Sequence, residues 1–519
     1  MWDKVNFKIN QLSRKQKTML SSLMSFCNQF VTIVCGFILP RFFLKYYGSD
    51  VNGLVSSITQ FLGFISLAEL GVGAVVRSAL YKPLANKDVD QISRVYLSSE
   101  HFFRKLALLL VIYVAVLMVV YPLIAIDSFD YIYSASLILI ISISMFFQFF
   151  VGMSYKLLIS ADQLASIILI LQCLSMLLKT VFSIILIRLS FSVHAVKFVS
   201  SIILIIQPLT LAVFAKHRYK INRKIKLEGE PIKQKWNGLA QHIASVVLNN
   251  TDVTVLTLFS TLKNVSVYAI YYMVLSGLKS LVDSFTNGFG ALMGDLYARS
   301  EIDSLNNTFS KLEWMIHYST VLIYSIAGLT IIPFVTVYTK GVTDAVYYQP
   351  LFAIILLLAQ VVCCLRIPSH LLICSAGHFK QTQMSAIIEA FINIVISVIT
   401  VVKFGLVGVA IGTLSAMIYR TGYYVWYLSK NILVRNSKSF FKILAVDVLC
   451  VLCITLVRFL IPSLFMMSGT DYFSWFVLAA KSGVVCIVIV TSINIVFYPK
   501  YLKGLWDRIM VVYKRRKLS

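Results

Sequence analysis

Fourteen long apolar runs divide the chain, and they limit what it can become. They cover residues 18–44, 53–80, 102–126, 131–160, 162–190, 192–215, 236–260, 266–298, 311–339, 345–375, 379–402, 406–430, 440–467 and 473–498. A helix needs about 20 mostly apolar residues to cross the hydrocarbon core of a bilayer. Inside that core every backbone N–H and C=O must find a partner within the protein, so only helices and closed barrels cross it. Continuous runs of this length lack the short alternating segments of a membrane barrel. The expected fold is therefore an all-α polytopic membrane protein with about 14 transmembrane helices. Composition agrees, with 59% hydrophobic and only 13% charged residues. Those values exclude a water-soluble globular enzyme, a disordered tail and a disulfide-rich secreted domain. The polar residues 1–17 and the long run behind them read as the start of an uncleaved first span rather than a signal peptide. The nine cysteines all lie in apolar runs and read as packing residues, including Cys450 and Cys453, which no His or second Cys pair accompanies.

A formal net charge of +25 is unexpected in such an apolar chain. It invites readings from nucleic acid to anionic lipid or an anionic substrate. Sorting the 47 Lys and Arg by segment decides between them. On the side of the N-terminus lie 33, concentrated in 1–17, 81–105, 216–235, 430–442 and 499–519, against seven on the other side (Arg41, Lys45, Arg188, Lys197, Lys263, Lys340 and Lys403). By the positive-inside rule both termini are expected in the cytoplasm. No nucleic-acid partner is needed; most of the charge faces an anionic leaflet. The seven that remain, Arg77, Lys179, Lys279, Arg366, Arg420, Arg458 and Lys481, lie inside or at the edge of spans. A charge at the bilayer centre costs about 2.5–3.5 kcal/mol even on the lenient insertion scale, so these should face protein or a wet cavity.

The order of features repeats along the chain. Val51-Asn52-Gly53-Leu54, Gly71-Val72-Gly73, Leu80-Tyr81 and Asp88-Val89-Asp90 return as Val265-Ser266-Val267-Tyr268, Gly288-Phe289-Gly290, Leu296-Tyr297 and Glu301-Ile302-Asp303. The expected organisation is a basic N-terminus (1–17), an N-lobe of six helices (18–215), a basic linker (216–235), a C-lobe of six helices (236–430), a two-helix appendix (431–498) and a basic tail (499–519). Two parallel six-helix lobes would enclose a central cleft, where alternating access needs its binding site.

Several intramembrane groups are candidates for chemistry. Glu69 and Arg77 lie eight residues apart near one face of the second span. Lys279 and Asp283 share a helix face at i, i+4 and suit a pair. Asn249-Asn250-Thr251-Asp252 forms a polar block in the seventh span, where Asp252 suits a proton or Na⁺ and interhelical hydrogen bonding is the plainer reading. Glu389 stands alone in its span, either as a protonatable group or as a partner of Arg366 or Arg420. Tyr268, Tyr271 and Tyr272 read as an interfacial belt or as a platform for sugar stacking. The Gly-x-Gly pairs lack the flanking strand of a nucleotide fingerprint and read as helix contact or bending points. No Walker, zinc-protease or nucleophile-elbow motif is present. Short outer loops disfavour a membrane glycosyltransferase or polymerase, for which Asp127, Asp130 and Asp471 are the only weak candidates.

Leu67-Ala68-Glu69-Leu70-Gly71-Val72-Gly73 followed by Leu80-Tyr81-Lys82-Pro83-Leu84-Ala85 resembles the second-helix signature of Wzx-type polysaccharide flippases. Asn250-Thr251-Asp252, Val265-Ser266-Val267-Tyr268 and Tyr271-Tyr272-Met273-Val274 are similar to that family in the same way, in the style of its Gram-positive branch. The family belongs to the multidrug/oligosaccharidyl-lipid/polysaccharide exporter superfamily, and the likeness spans most of the chain. It implies a transporter, not an enzyme, that moves an undecaprenyl-diphosphate-linked oligosaccharide across the bacterial cytoplasmic membrane for capsule, O-antigen or exopolysaccharide synthesis. It further implies a basic cavity for the diphosphate, for which Arg77, Lys179, Lys279, Arg366 and Arg420 are available. Glu69, Asp252, Asp283 and Glu389 are the candidate carboxylates for H⁺ or Na⁺ coupling, beside polar Asn249, Asn250 and Thr251. The implied partners are the polyprenyl-diphosphate oligosaccharide, membrane lipid, a polysaccharide polymerase and chain-length proteins, with no cofactor. Competing cargoes are a teichoic-acid or peptidoglycan lipid precursor, or organic cations as in a multidrug exporter. The lipid II branch typically carries a basic residue in its first span, and Thr18 to Pro40 holds none.

Overall fold

In a computed structural model of the chain the described residues are 14–69, 72–124, 128–225, 239–286, 289–433 and 435–503. Among them every regular element is helical. Among the described residues each of the fourteen apolar runs lies mainly on helix, and eleven helical segments are long and apolar enough to cross a membrane. The chain is a multi-pass membrane protein. One of the eleven segments, Leu20–Leu67, holds the first two runs together. The helices Leu239–Phe259 and Leu406–Asn431 also have spanning length, at 21 and 26 residues, but fall outside that count.

The chain divides into two compact units, Met1–Ser266 and Val267–Ser519. The first unit opens with α1 (Arg14–Gly63), which breaks at Gly48, φ 84° and ψ 177°. That conformation is open to glycine and costly for any residue with a Cβ, so the break separates two apolar runs at a fixed place. Beyond it, Gly53 lies so close to Leu262 that an added Cβ would sit 1.9 Å from the Leu262 carbonyl oxygen. Hydrogen bonds hold this contact: Asn52 Nδ2 donates to Ser266 Oγ at 2.8 Å, and the Ser57 and Thr257 hydroxyls meet at 2.7 Å. A 3₁₀ turn (Phe64–Glu69) then leads toward α2 (Val72–Asn86).

The unit continues with α3 (Val89–Ile124), α4 (Tyr131–Phe147), a π-helical turn (Gln148–Gly152), α5 (Met153–Ala161), α6 (Ala165–Arg188), α7 (Val193–Arg218) and α8 (Leu239–Phe259). The Ser192 hydroxyl caps α7 by accepting from the Ala195 N–H at 3.3 Å. Leu54, Ile58, Phe103, Leu137, Ile138 and Phe214 are among its fully buried core side chains. On α3 the opposite face, with Leu108, Ile112, Val116 and Val119, is exposed and apolar. In water that face would be a liability; against acyl chains it is the surface a spanning helix requires.

In the second unit α9 (Leu262–Ser284), which starts in the first, leads to α10 (Phe289–Ala298), α11 (Ile302–Tyr338), α12 (Pro350–Leu365), α13 (Ile367–Ser375), α14 (Phe379–Phe404), α15 (Leu406–Asn431), α16 (Lys438–Leu460) and α17 (Tyr472–Phe497). The starts of α2 and α10 are 217 residues apart, the offset of the two Gly-x-Gly pairs. Gly71 and Gly288 themselves lie outside the described residues. The last two helices are fastened to α11 by polar side chains. His317 Nδ1 meets Asp447 Oδ2 at 2.5 Å, Arg435 Nη2 donates to both Glu313 oxygens at 2.8 and 2.6 Å, and Trp314 Nε1 donates to Asn494 Oδ1 at 2.9 Å. In a low-dielectric setting such contacts have no water to compete with them, which makes this attachment specific.

Candidate functional site

The densest gathering of intramembrane charge lies in the second unit, and a broken helix starts it. Pro368 has no N–H to continue the ladder, so the long apolar run 345–375 splits into α12 and α13 with Arg366 at the joint. Arg366 is thereby presented from a helix end rather than a helix flank. Its partner comes from α14 and α15, which pack backbone to backbone. A Cβ on Gly408 would lie 2.4 Å from the Thr400 carbonyl carbon, and one on Gly412 would lie 2.1 Å from Ser397 Oγ. Asn393 Nδ2 donates to Thr413 Oγ1 at 3.1 Å and Thr400 Oγ1 donates to the Gly408 carbonyl at 2.8 Å along the same seam. This close approach sets Glu389 on α14 beside Arg420 on α15.

Glu389 therefore receives two guanidinium groups. Arg366 Nη1 donates to its Oε1, and Arg420 Nη1 lies 3.5 Å from its Oε2. Arg420 is only 4% exposed. Its Nη2 donates to the Tyr424 hydroxyl at 2.6 Å, and its guanidinium sits 4.5 Å from the centre of that ring. Arg420 Nε has no hydrogen-bond partner. His370 of α13 stacks on Tyr424, and its Nδ1 lies 3.4 Å from the Tyr424 hydroxyl. Two arginines against one carboxylate leave one positive charge over, with an unspent N–H donor on a buried group. A buried donor without a partner loses about 1–3 kcal/mol. The arrangement suits an anionic oxygen better than it suits a cation.

Lys279 and Asp283 pair at 3.1 Å on α9, each partly exposed, and Lys279 lies within electrostatic reach of His370. The other candidates are dispersed. Arg77 is half-buried on α2 and Lys179 half-buried on α6, and neither makes an ion pair among the described residues. Glu69 closes the 3₁₀ turn, and its side chain lies outside the described residues. In the polar block of α8, Asn250 Nδ2 and Thr251 Oγ1 donate to their own helix, to the Val246 and Val247 carbonyls at 2.7 and 2.6 Å. Asp252 is 4% exposed and Asn249 is exposed. The three tyrosines divide: Tyr271 is fully buried and donates to the Tyr347 carbonyl at 2.7 Å, whereas Tyr268 stacks on Tyr272 at 5.6 Å.

Sequence reasoning passed over two groups at the first unit's basic end. Glu100 on α3 pairs with Arg104 at 3.0 Å and with Arg223 at 3.2 Å. Asp162 takes Arg218 at 3.1 Å and the Tyr219 hydroxyl at 2.8 Å. Burial and then the Asp162 carboxylate push the Tyr219 phenol up, so it stays a donor. These contacts tie the start of the 216–235 segment to the helix ends. The signal was available in the excess of Arg over acid there, but not the partners. Among the described residues no cluster of His, Cys, Asp and Glu could hold a metal ion.

No family model matches the chain, and no curated protein does. Solved structures do share its fold. The lipid II flippase MurJ in an inward closed conformation superposes with a TM-score of 0.69 at 16% identity, covering 93% of this chain and 100% of that one. A Vibrio cholerae MATE transporter gives 0.56 at 12% identity, covering 82% and 99%. An inward-facing multidrug resistance MATE family transporter of the MOP superfamily gives 0.52 at 14%, covering 77% and 95%.

Proposed function

We propose that this chain is a flippase that carries an undecaprenyl-diphosphate-linked oligosaccharide across the cytoplasmic membrane for surface polysaccharide synthesis. The transporter fold is common to lipid-linked and drug cargoes, so fold alone does not choose between them. The observation that carries the reading is the sign of the buried cluster. Arg366, Glu389 and Arg420 sum to a positive charge, with Arg420 Nε left unpaired in a buried place. Such a group attracts phosphate oxygens, and arginine does so with fixed, forked geometry. Alternating access supplies the movement, with H⁺ or Na⁺ coupling assigned to Asp252, Asp283, Glu389 or Glu69. Both termini lie in the cytoplasm in this reading, which the 33-to-7 distribution of cations supports.

The likeness to MurJ supports a second cargo, a peptidoglycan lipid precursor. The likeness to multidrug exporters supports a third, organic cations, which a net positive cluster repels. One experiment separates the three. The full chain is reconstituted in vesicles, and the outward movement of a fluorescent polyprenyl-diphosphate oligosaccharide is measured against lipid II and a cationic dye. Faster movement of the oligosaccharide, lowered about tenfold or more by Arg420→Gln, is the expected outcome, since a charge-assisted hydrogen bond is worth about 1.5–3 kcal/mol. Transport of the dye alone would sink the reading.

A further inference from the structure

The first unit contains a polar recess in which a single cation, Lys156, stands among neutral polar side chains. It is lined by Ser144, Gln148 and Lys156 from the α4–α5 rod and by Gln207 from α7, with Gly152 and Pro208 as its floor. Its volume is about 70 Å³, with an open mouth. Three features of the backbone build it. The π-helical turn Gln148–Gly152 inserts an extra residue into the α4–α5 rod and swings Gln148 out of the helical register. Gly152 lets α7 come close, since a Cβ there would sit 2.6 Å from Pro208 Cβ. Pro208 has no N–H to give the Leu204 carbonyl four residues back, and Leu204 also lines the recess.

Gln148 lies 17 residues into the run from Tyr131, about 25 Å along at 1.5 Å per residue, and Gln207 lies about 21 Å along α7. Both are therefore within the span, while Lys156 stands nearer its end. None of the three side chains makes a hydrogen bond or an ion pair among the described residues. Turned to hydrocarbon, each would cost several kcal/mol, so this face must be wet. Two carboxamides, each with donor and acceptor, and one hydroxyl match neighbouring hydroxyl groups; an ammonium at the rim matches an anionic oxygen.

We propose that this recess binds the hydroxyl edge of a sugar, with Lys156 taking an acidic group on the same ring. The proposal rests on the flippase reading for the source of that sugar, but its chemistry is tested without transport. Gln148→Cys and Gln207→Cys are made in the full chain in lipid nanodiscs and reacted with a water-soluble methanethiosulfonate. The native cysteines are subtracted as background, and Leu139→Cys, exposed and apolar on α4, is the lipid-facing reference. Labelling at both recess positions is expected to be about tenfold faster than at Leu139→Cys, as for a hydrated site. Glucuronate is expected to slow it about threefold or more, glucose less, and Lys156→Gln to abolish the difference between the two sugars. Rates as slow as the reference would show a lipid-facing surface. Fast labelling that neither sugar slows would show a wet groove without a sugar site. Either result overturns the proposal. Protection by glucuronate in a protein that moves no lipid-linked oligosaccharide would overturn the flippase reading and leave this one standing.

Discussion

The two units handle intramembrane charge in opposite ways. In the second unit the buried charges are matched, Glu389 with Arg366 and Arg420, Glu313 with Arg435 and Asp447 with His317, as is the partly exposed pair of Asp283 with Lys279, while the exposed Arg458 and Lys481 make no ion pair among the described residues. In the first unit, Arg77, Lys156 and Lys179 make no ion pair among the described residues, and the ion pairs with Glu100 and Asp162 lie at the basic end. A matched charge is held still by its partner, and removing one member strands the other. An unmatched cation contributes little to folding and keeps its field for a ligand. The second unit is thus expected to respond to substitution through stability, together with transport at Arg420, and the first through transport with stability unchanged.

The comparison breaks most visibly at Glu389. Glu389→Gln strands two buried guanidinium groups and is expected to destabilise the full chain by about 3–5 kcal/mol. Thermal unfolding in detergent reads this directly, and the additional change Arg366→Gln should recover part of the loss. An unchanged midpoint for the single variant would remove the argument that Glu389 is the keystone. A smaller effect is expected at the α14–α15 seam. Gly412→Leu forces helix backbones apart and should cost about 1–3 kcal/mol, read as earlier unfolding with the charges untouched. Smaller again is the partly exposed pair on α9. Lys279→Met with Asp283→Asn should change stability by about 0.2–1 kcal/mol. At the far end, Arg77→Gln and Lys179→Gln are expected within about 0.5 kcal/mol of the parent protein. If either lowers vesicle transport while leaving the unfolding midpoint in place, the contrast between the units is sharpened; if both unfold the protein, the first unit is matched after all.

The fold was largely legible because hydrophobic length is a strong signal. Among the described residues all fourteen runs lie mainly on helix. The breaks were partly legible: Gly48 falls in the gap between the first two runs, whereas Pro368 lies inside the run 345–375, whose apolarity hides the break. The rotation of each helix was not. Whether Glu389 faces Arg366, Arg420 or neither depends on how α12, α14 and α15 turn about their axes, and near-uniform apolarity leaves no periodic stripe to tell. The recess escaped for a different reason. Gln148 and Gln207 are neutral, so sorting by charge never met them, and Lys156 is one of the 33 cations that the sorting places on the side of the N-terminus. A count of amides inside spans would have found both.

The attachment of the last two helices to α11 has a consequence in time. His317 is made 130 residues before Asp447, and Glu313 is made 122 residues before Arg435. At about 5–20 residues per second, His317 waits roughly 7–26 seconds for its partner to be synthesised. During that interval α11 is a span with an unanswered carboxylate and imidazole, awkward to release into lipid. Its membrane entry is therefore a provisional state, completed only when the C-terminal helices emerge. A ribosome that stalls before Lys438 leaves behind a chain whose ninth span still advertises its missing neighbours to whatever surveys the membrane for unfinished proteins.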